Sequence, residues 1–369
     1  MRARLEDVCE RDSSNLRQAD VAGRSGDYPI YGASGYIGNV DFYHQELPYV
    51  AIVKDGAGIG RTVLLPAKSS VIGTMQYLLP KKNVLPEYLC YVVRYMHLEK
   101  YFSGATIPHI YFRDYKSEEF NLVPVDYQEE IVATLGKIEA IVAARQRQLQ
   151  KLDELVKARF IELFGDPLIE DDRYPRVPLG SLAEVGSSKR IFEKEYVSEG
   201  IPFYRTKEIV ELSKGNRITT ELFITKERYD EIRSEYGVPQ KGDLLISAVG
   251  TIGVIWIVDG KNDFYFKDGN LLRVSATEKF VPEYLKHLLE ALISAYKSEM
   301  SSGTAYAALT ISALKEMMVY DVPHAEQEQF AAFVEQTDKS KVAVQKALDE
   351  AQLLFDSLMQ KYFGREGVV

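Results

Sequence analysis

Residues 128–165 read QEEIVATLGKIEAIVAARQRQLQKLDELVKARFIELFG, and the chain contains this pattern a second time. Residues 327–364 read QEQFAAFVEQTDKSKVAVQKALDEAQLLFDSLMQKYFG. The offset is 199 residues at both ends, so the two copies align without a gap. The same offset relates Pro124 to Pro323. Repeats of this length indicate one structural unit used twice. We therefore expect internal two-fold pseudo-symmetry, and a binding target that is two-fold as well.

Apolar residues in both repeats alternate spacings of three and four, which is a heptad pattern. Such a period buries a narrow stripe against a partner helix, and residues 128–164 would form a helix about 55 Å long. The alternative is that each helix packs on its own domain, but the sustained heptad favours pairing of the two helices. The predicted seam consists of Ile131, Leu135, Ile138, Val142, Leu149, Leu152, Val156 and Leu163 in the first repeat and Phe330, Val334, Val344, Leu348, Ala351, Phe355, Leu358 and Tyr362 in the second.

The region before each helical repeat mixes short apolar runs with glycine turns. In the first copy, residues 49–53 and 62–65 are predicted strands on either side of a glycine-rich turn, and Pro86 opens a helix. The second copy follows the same order, with strands predicted at 243–247 and 254–258 and a helix opening at Pro282. The two regions are therefore expected to be copies of one domain.

These features divide the chain into four segments. A first domain covers residues 1–127, a central helix residues 128–166, a second domain residues 167–326 and a C-terminal helix residues 327–369. Glycine follows each helix and acts as a stop signal. The predicted fold class is α+β, with two similar domains and two long helices.

Composition limits the location and the partners of the chain. The 369 residues include 46% hydrophobic and 27% charged ones, as is usual for a globular protein. Cys9 and Cys90 show no metal spacing, which suggests a reducing compartment. Without a signal peptide or a long apolar run, a cytoplasmic location is expected. The net charge is −9 and no segment is basic overall, which counts against nucleic-acid binding unless positive charge is sorted to one face.

Motifs for catalysis are missing. The glycine-rich stretch at residues 56–62 lacks the lysine and hydroxyl residue of a phosphate-binding loop, and the matching glycine turn at 250–253 favours a tight turn between strands. The five histidines show no zinc spacing, and there is no nucleophile elbow. The aromatic tetrapeptide of amino-methyltransferases is also missing. A standalone modification or cleavage enzyme is therefore disfavoured.

Several stretches resemble one known family, the specificity (S, HsdS-type) subunits of Type I restriction–modification systems. Residues 28–38 are similar to the opening of one type of recognition domain, and residues 54–60 resemble its central turn. Residues 302–304 with 309–311 resemble the segment before the spacer, and residues 323–327 its helix entry. The first copy departs from that entry, and both copies lack the usual double proline. The ordered duplication is the specific part of the resemblance.

The resemblance implies two target-recognition domains in a pseudo-two-fold arrangement, separated by two long antiparallel coiled-coil helices. It implies a non-catalytic subunit that reads a bipartite, asymmetric sequence in double-stranded DNA. Two methyltransferase subunits are the implied partners, and restriction subunits are further partners that the family allows. S-adenosylmethionine, ATP and Mg²⁺ would be bound by those partners and not by this chain, and no membrane is involved. The acidic charge supports an alternative, a pseudo-symmetric scaffold that binds proteins and not DNA.

Residues that read DNA should lie on loops where the two copies diverge, because base contacts specify sequence while phosphate contacts only position the protein. The alternative for each basic residue is a solvated surface charge, and for each tyrosine partial burial. The candidates are Tyr31, Ser34, Tyr36, Lys54, Arg61, Thr106, His109 and Arg113 in the first domain and Lys189, Arg190, Tyr204, Arg205, Lys207, Ser247, Thr251, Thr304 and Tyr306 in the second.

Four polar residues interrupt the helical seam. Arg145 and Arg159 do so in the first repeat, and Thr337 and Lys341 in the second. The three basic residues are expected either to face partner subunits or to pair with acids across the seam. The alternative is that their long side chains snorkel out of a loosely packed coil.

Overall fold

The computed structural model describes residues 1–104, 108–169, 173–275, 279–300 and 308–364. The chain forms two compact units. The first unit consists of residues 1–148 and 344–369, and the second of residues 149–343. Each unit therefore contains one mixed domain, one part of the central long helix and one part of the C-terminal long helix.

The domain of the first unit is built from short strands and helices. Its strands are β1 (Arg2–Arg4), β2 (Cys9–Ser13), β3 (Tyr28–Gly32), β4 (Gly35–Val40), β5 (Tyr49–Val53), β6 (Thr62–Leu65), β7 (Ser70–Val71), β8 (Met75–Pro80) and β9 (Glu119–Asn121). Its helices are α1 (Leu5–Val8), α2 (Gln18–Val21), α3 (Pro86–Tyr95) and α4 (Phe112–Tyr115), with a 3-10 turn at Leu98–Tyr101.

Three sheets organise this domain. The largest has the order β2-β8-β5-β6 and is antiparallel, with Val50 of β5 opposite both Leu64 and Leu78. A second sheet has the order β4-β3-β7, in which β3 and β7 are parallel, and β1 pairs with β9. Every residue of β5 is buried. That is why its sequence is an unbroken apolar run and not an alternating one.

The long central helix α5 (Val125–Phe164) follows the first domain. The strands of the second domain are β10 (Arg176–Pro178), β11 (Val185–Gly186), β12 (Ile201–Tyr204), β13 (Phe223–Ile224), β14 (Leu244–Ser247), β15 (Ile255–Ile257), β16 (Tyr265–Phe266), β17 (Leu271–Val274) and β18 (Met318–Tyr320). Its helices are α6 (Thr206–Ser213), α7 (Lys226–Glu235), α8 (Pro282–Met300) and α9 (Ile311–Glu316), with 3-10 turns at Leu179–Ser181 and Glu193–Glu195, and α10 (His324–Phe363) follows.

The second domain repeats the topology of the first. Its sheets have the orders β11-β17-β14-β15 and β13-β12-β16, again with a parallel pair, β12 and β16, and β10 pairs with β18. The predicted duplication is therefore confirmed at the level of strand order. Three differences stand out. Helix α6 lies between β12 and β13, where the first domain has only the hairpin of β3 and β4, and α7 lies between β13 and β14, where the first domain has no helix between β4 and β5. Helix α8 has 19 residues against 10 in α3.

Both long helices contain 40 residues and begin three residues before the predicted position. Pro124 and Pro323 stand directly before them, as is usual at a helix start. Gly165, with a φ of 87°, ends α5, and its N–H donates to the carbonyl of Ile161 at 2.8 Å. This is the left-handed glycine cap that the sequence predicts.

A buried glutamine ties each long helix to its domain. The Oε1 atom of Gln128 accepts the N–H of Leu85 at 2.9 Å, and its Nε2 donates to the carbonyls of Asn83 and Val123. Gln327 makes the same three bonds, with Val281, Lys279 and Val322. Both side chains are fully buried, so each amide must be satisfied by these partners.

The two long helices pack against each other in antiparallel fashion within each unit. In the first unit, Ile131 and Leu135 near the start of α5 share one core cluster with Met359 and Phe363 at the end of α10. In the second unit, the ring of Phe160 near the end of α5 lies 5.4 Å from that of Phe330 near the start of α10. The predicted helix pairing is therefore confirmed. Each helix also packs on a domain core, so pairing and packing on the domain occur together.

The polar interruptions of the seam behave differently from one another. Lys341 of α10 pairs with Asp153 of α5 at 2.8 Å, which is the expected contact across the seam. Arg159 instead bonds Glu162 on its own helix, and Arg145 bonds the neighbouring Gln148. Thr337 is buried and donates its hydroxyl to a carbonyl of its own helix.

Three further observations concern membrane spans, the cysteines and metal binding. None of the described helices is long and apolar enough to cross a membrane. Cys9 and Cys90 are free and buried, and burial raises the pKa of their thiols to about 12 and about 11. In the described ranges, no three His, Cys, Asp or Glu side chains are grouped so that they could hold a metal ion.

Candidate nucleic-acid interface

A closed turn follows β5 in the first domain. The N–H of Val53 donates to the carbonyl of Arg61 at 2.9 Å, and the N–H of Gly60 donates back to Val53 at 2.9 Å. Gly60 has a φ of 82°, and a Cβ there would lie 2.7 Å from the backbone nitrogen of Glu99. Only glycine fits this position, so the turn is held in one shape against the neighbouring backbone.

Two other loops are joined to this turn, which spans residues 54–60. The guanidinium of Arg61 donates to the carbonyl of Ala33 at 3.0 Å, which brings in the tip of the β3–β4 hairpin. On the other side, the N–H of Gly56 donates to the carbonyl of Pro108 at 3.0 Å. Three segments that are far apart in sequence therefore form one continuous loop surface.

The hairpin side of this surface presents polar and aromatic groups. Tyr36 is 61% exposed, and its ring lies 6.0 Å from that of Tyr31 in an edge-to-face arrangement. Ser34 and Arg61 are exposed and Lys54 is half-buried. Cations and hydroxyls of this kind suit phosphate oxygens and base edges.

The opposite side carries a row of four side chains in contact with one another. His109 bonds the carboxylate of Asp55 through Nδ1, and its ring lies 4.1 Å from that of Tyr111. The guanidinium of Arg113 lies over the Tyr111 ring at 4.5 Å. The structure thus brings together all the first-domain candidates that it describes.

Two members of this surface, Asp55 and Tyr111, were not predicted. Asp55 directly follows Lys54, and Tyr111 stands between His109 and Arg113. Their position in the sequence next to predicted residues is the signal that could have found them. Nothing in the sequence indicates that residues 55 and 109 lie in contact. Three other candidates lie outside the described residues, namely Thr106, Thr304 and Tyr306.

The turn after β14 in the second domain has the same backbone scheme. The N–H of Ser247 donates to the carbonyl of Val254 at 2.9 Å, and the N–H of Gly253 donates back to Ser247 at 2.8 Å. Its side chains are different, because Val249 and Thr251 are the residues it exposes. Val249 is 41% exposed although it is apolar.

The predictions for Ser247 and Tyr204 are wrong. Ser247 is fully buried, and its hydroxyl bonds the carbonyl of Thr251 and accepts the N–H of Val254, so it completes the turn from inside. Tyr204 is 7% exposed and stacks on Phe264 with ring centroids 4.6 Å apart, and burial raises the pKa of its hydroxyl. Neither side chain can reach a base while the domain is folded.

Lys189 and Arg190 form a basic patch elsewhere on the second domain. Arg190 bonds Asp268 at 2.8 Å, and Lys267 lies 3.2 Å from the same carboxylate. Burial alone would raise the pKa of Asp268, but the hydrogen bonds from Arg190 and Lys267 outweigh it and lower the pKa. The carboxylate therefore stays ionised. The ammonium of Lys189 lies 4.7 Å from the centre of the Tyr236 ring.

Arg205 and Lys207 lie next to this patch. Both pair with Glu208, at 3.4 and 3.5 Å, and that carboxylate is only 2% exposed. The N–H of Lys267 donates to the carbonyl of Tyr204 at 2.9 Å, which holds the two pairs at the same end of β12 and β16. Four predicted basic residues are therefore gathered in one place. Asp268, which is partly buried, and the buried Glu208 hold three of the charged heads, and the Tyr236 ring lies against the fourth, that of Lys189.

Known proteins resemble this chain over nearly its whole length. The family described as Type I restriction modification DNA specificity domain matches residues 1–154 and 173–351. A putative type I restriction enzyme specificity subunit of Haemophilus influenzae, S.HindORF215P, is 25% identical over 347 residues, which cover 92% of this chain and 86% of that protein.

Two solved structures share the fold. The crystal structure of a Type I restriction–modification S subunit from M. genitalium aligns with a TM-score of 0.58 at 16% identity, over 98% of this chain and 96% of that one. A chain from a study of complex assembly and conformational transition in the type I R-M system aligns with a TM-score of 0.56 at 16% identity, over 100% and 98%. With the family match over both halves, the chain belongs to the Type I restriction–modification DNA specificity family.

Proposed function

We propose that this chain is the non-catalytic specificity subunit that reads a bipartite, asymmetric DNA sequence, one part with each domain. The observation that carries the proposal is the turn that both domains share. Its backbone hydrogen bonds are the same in the two domains, yet it presents Lys54 and Arg61 in one and Val249 and Thr251 in the other. Two equivalent loops with unlike side chains suit two unlike base sequences.

The long helices would set the gap between the two parts of the site. Each has 40 residues, which corresponds to about 60 Å. A paired helix is stiffer than a loop, so it can hold two domains at a fixed spacing on a duplex. Neighbouring half-sites on one face of DNA lie roughly 34–36 Å apart, which is well within the reach of such a spacer.

Methylome sequencing of a host that expresses this chain with the methyltransferase of its own system tests the proposal. The expected result is a methylated motif with two unequal parts separated by a fixed number of unspecified base pairs. An uninterrupted or palindromic motif would contradict it. The methyltransferase and restriction subunits would supply the sites for S-adenosylmethionine, ATP and Mg²⁺.

Two methyltransferase subunits would dock on the long helices. Leu155 and Leu354 occupy the same position of the repeat and are 48% and 51% exposed. An apolar residue exposed twice at equivalent positions suits two copies of one partner. Leu155→Asp or Leu354→Asp should each reduce the bound methyltransferase from two copies to one, and the double variant should bind none. Gln146→Asp and Gln345→Asp, also equivalent and exposed, serve as controls that keep both copies.

The net charge of −9 favours a second candidate, a scaffold that binds proteins and not DNA. A gel shift of a duplex that carries the methylated motif separates the two functions. The proposed function requires the chain with its methyltransferase to retard this duplex more strongly than a scrambled one. Equal retardation of both duplexes, or none, would favour the scaffold.

A further inference from the structure

We infer that His109, held by Asp55, reads one base pair in the first part of the site by accepting a hydrogen bond from an amino group in the major groove. This inference rests on the proposed function and names one specificity-determining contact within it. Asp55 is the positioning residue of the pair. Its carboxylate orients the imidazole and does not itself contact DNA.

The backbone of His109 is fixed from two sides. His109 and Ser103 exchange N–H to carbonyl hydrogen bonds of 2.8 and 2.9 Å, and His109 also bridges to Asp55 in antiparallel fashion. The adjacent N–H of Ile110 donates to the carbonyl of Lys54 at 3.0 Å. The histidine is therefore presented by a paired backbone and not by a free loop.

The imidazole is oriented as firmly as the backbone. The carboxylate of Asp55 accepts a hydrogen bond from Nδ1, which places the ring proton on that nitrogen. Among the described residues, Nε2 of His109 has no hydrogen-bond partner, and the side chains of His109 and Asp55 remain 25% and 29% exposed. In the neutral ring, Nε2 is then an acceptor with a fixed direction.

Hydrogen-bond chemistry decides which base edges fit. In the major groove, the amino groups that donate are N6 of adenine and N4 of cytosine. A neutral Nε2 acceptor suits either of them and is mismatched with the carbonyl oxygens of guanine and thymine. The neighbouring Arg113 and Arg61 supply positive charge that can hold phosphate oxygens, so the acidic Asp55 does not prevent approach of the duplex.

In the second domain, the described positions that match Asp55 and His109 carry neither an acid nor a histidine, which gives an internal control. The bond from Leu309 N–H to the carbonyl of Ala248, 2.9 Å long, is the counterpart of the bond from Ile110 to Lys54. The residues that match Asp55 and His109 are therefore Val249 and Ala308. Neither has a side-chain group that could accept a hydrogen bond from a base. Changes at His109 should leave the second part of the site untouched.

The test uses the full chain in complex with its methyltransferase, after the motif has been identified by methylome sequencing. Initial methylation rates are measured on duplexes in which each specified base pair is replaced in turn. His109→Ala should lose about tenfold to a hundredfold of the discrimination at one base pair of the first part and none in the second part. Asp55→Asn should weaken discrimination at the same base pair by a smaller factor, because a neutral amide is a weaker acceptor than a carboxylate and holds the ring less firmly.

Two further variants separate reading from folding. His109→Gln keeps a hydrogen-bonding side chain and should restore part of the lost discrimination. His97→Asn is the matched control, since His97 also pairs with a carboxylate, Glu99, but is 71% exposed and lies outside the loop surface. Asparagine tolerates its left-handed backbone, which has a φ of 50°.

The outcomes distinguish the inference from the proposed function. If His109→Ala slows methylation of all duplexes by the same factor, or changes nothing, His109 does not read a base and the inference is overturned. If the unmodified complex shows no two-part motif at all, the proposed function fails before His109 is tested. A change of preference confined to one base pair supports both.

Discussion

The turns after β5 and β14 have the same backbone hydrogen bonds but carry different side chains. Both are closed by a reciprocal pair of hydrogen bonds, and both contain a glycine with positive φ, Gly60 or Gly253. Around this frame the first domain places Lys54, Asp55 and His109, whereas the second places alanine and valine at the matching positions. This fold therefore separates its scaffold from the loop surface that we propose reads DNA. Changes to the matching domain cores should affect the two domains alike, whereas changes where the neighbours or side chains of the turns differ should affect them differently.

The largest effect is expected from replacing the phenylalanine at the end of each long helix, which tests whether the two domain cores are equivalent. Phe164 lies 4.9 Å from Tyr284, and Phe363 lies 5.4 Å from Tyr88, with both phenylalanines buried. Phe164→Ala and Phe363→Ala should each destabilise their unit by about 3–5 kcal/mol. Denaturant unfolding followed by tyrosine fluorescence would measure both values. A difference of more than about 2 kcal/mol between them would break the equivalence of the two cores.

A smaller effect is expected where the two turns are braced differently. A Cβ on Gly60 would meet the backbone nitrogen of Glu99 at 2.7 Å, whereas on Gly253 it would meet the side chain of Ile293 at 2.8 Å. Both positions need a left-handed backbone, which costs an alanine about 1–3 kcal/mol. Because a backbone cannot rotate away and an isoleucine can, Gly60→Ala should be the more destabilising of the two. Thermal melts of the two variants would show it, and the reverse order would contradict this account.

The sequence predicted the elements whose signals are local. The unbroken apolar run at Tyr49–Val53 is a strand, and Pro86 and Pro282 open helices where expected. The heptad predicted helix pairing because a sustained 3.5-residue period is typical of a coiled-coil seam. The predicted strand at 243–247 begins one residue later, at Leu244, since helix and strand ends are set by individual hydrogen bonds.

What the sequence did not predict depends on contacts between distant residues. Asp55 and His109 are brought together by backbone pairing that no local sequence pattern indicates. Ser247 and Tyr204 were predicted to contact DNA, but the sheets bury them. Phe160 lies outside the heptad positions and is buried all the same, because the helix end packs on a domain core as well as on its partner helix. The division into recognition domains and spacers at residues 127, 166 and 326, and the DNA contacts themselves, remain predictions.

On the loop surface that we propose reads DNA, the exposed Val249 predicts a contact of a different kind from the one inferred for His109. An apolar side chain in the major groove suits the methyl group of thymine. Replacing a thymine of the second part of the site by uracil removes that methyl group and should slow methylation about fourfold, which is about 0.8 kcal/mol. In Val249→Ala the same replacement should matter less. If every thymine of the second part can be replaced without effect, Val249 does not read a methyl group.

The smallest effect is expected in the seam, at a position where the two repeats differ. The second repeat has Lys341 where the first has Val142, and Lys341 forms an ion pair with Asp153 of the other helix. Lys341 lies 2.8 Å from Asp153 and 3.2 Å from Asp338, with 27% of its side chain exposed. An ion pair open to solvent contributes about 0–1 kcal/mol, so Asp153→Asn should lower the free energy of unfolding by less than about 1 kcal/mol. The loss should shrink further in high salt, because screening weakens the pair in the folded state. Lys341→Met keeps the apolar stem in the seam and should be close to neutral. A loss of several kcal/mol in either variant would mean that this pair, and not the apolar stripe around it, holds the helices together.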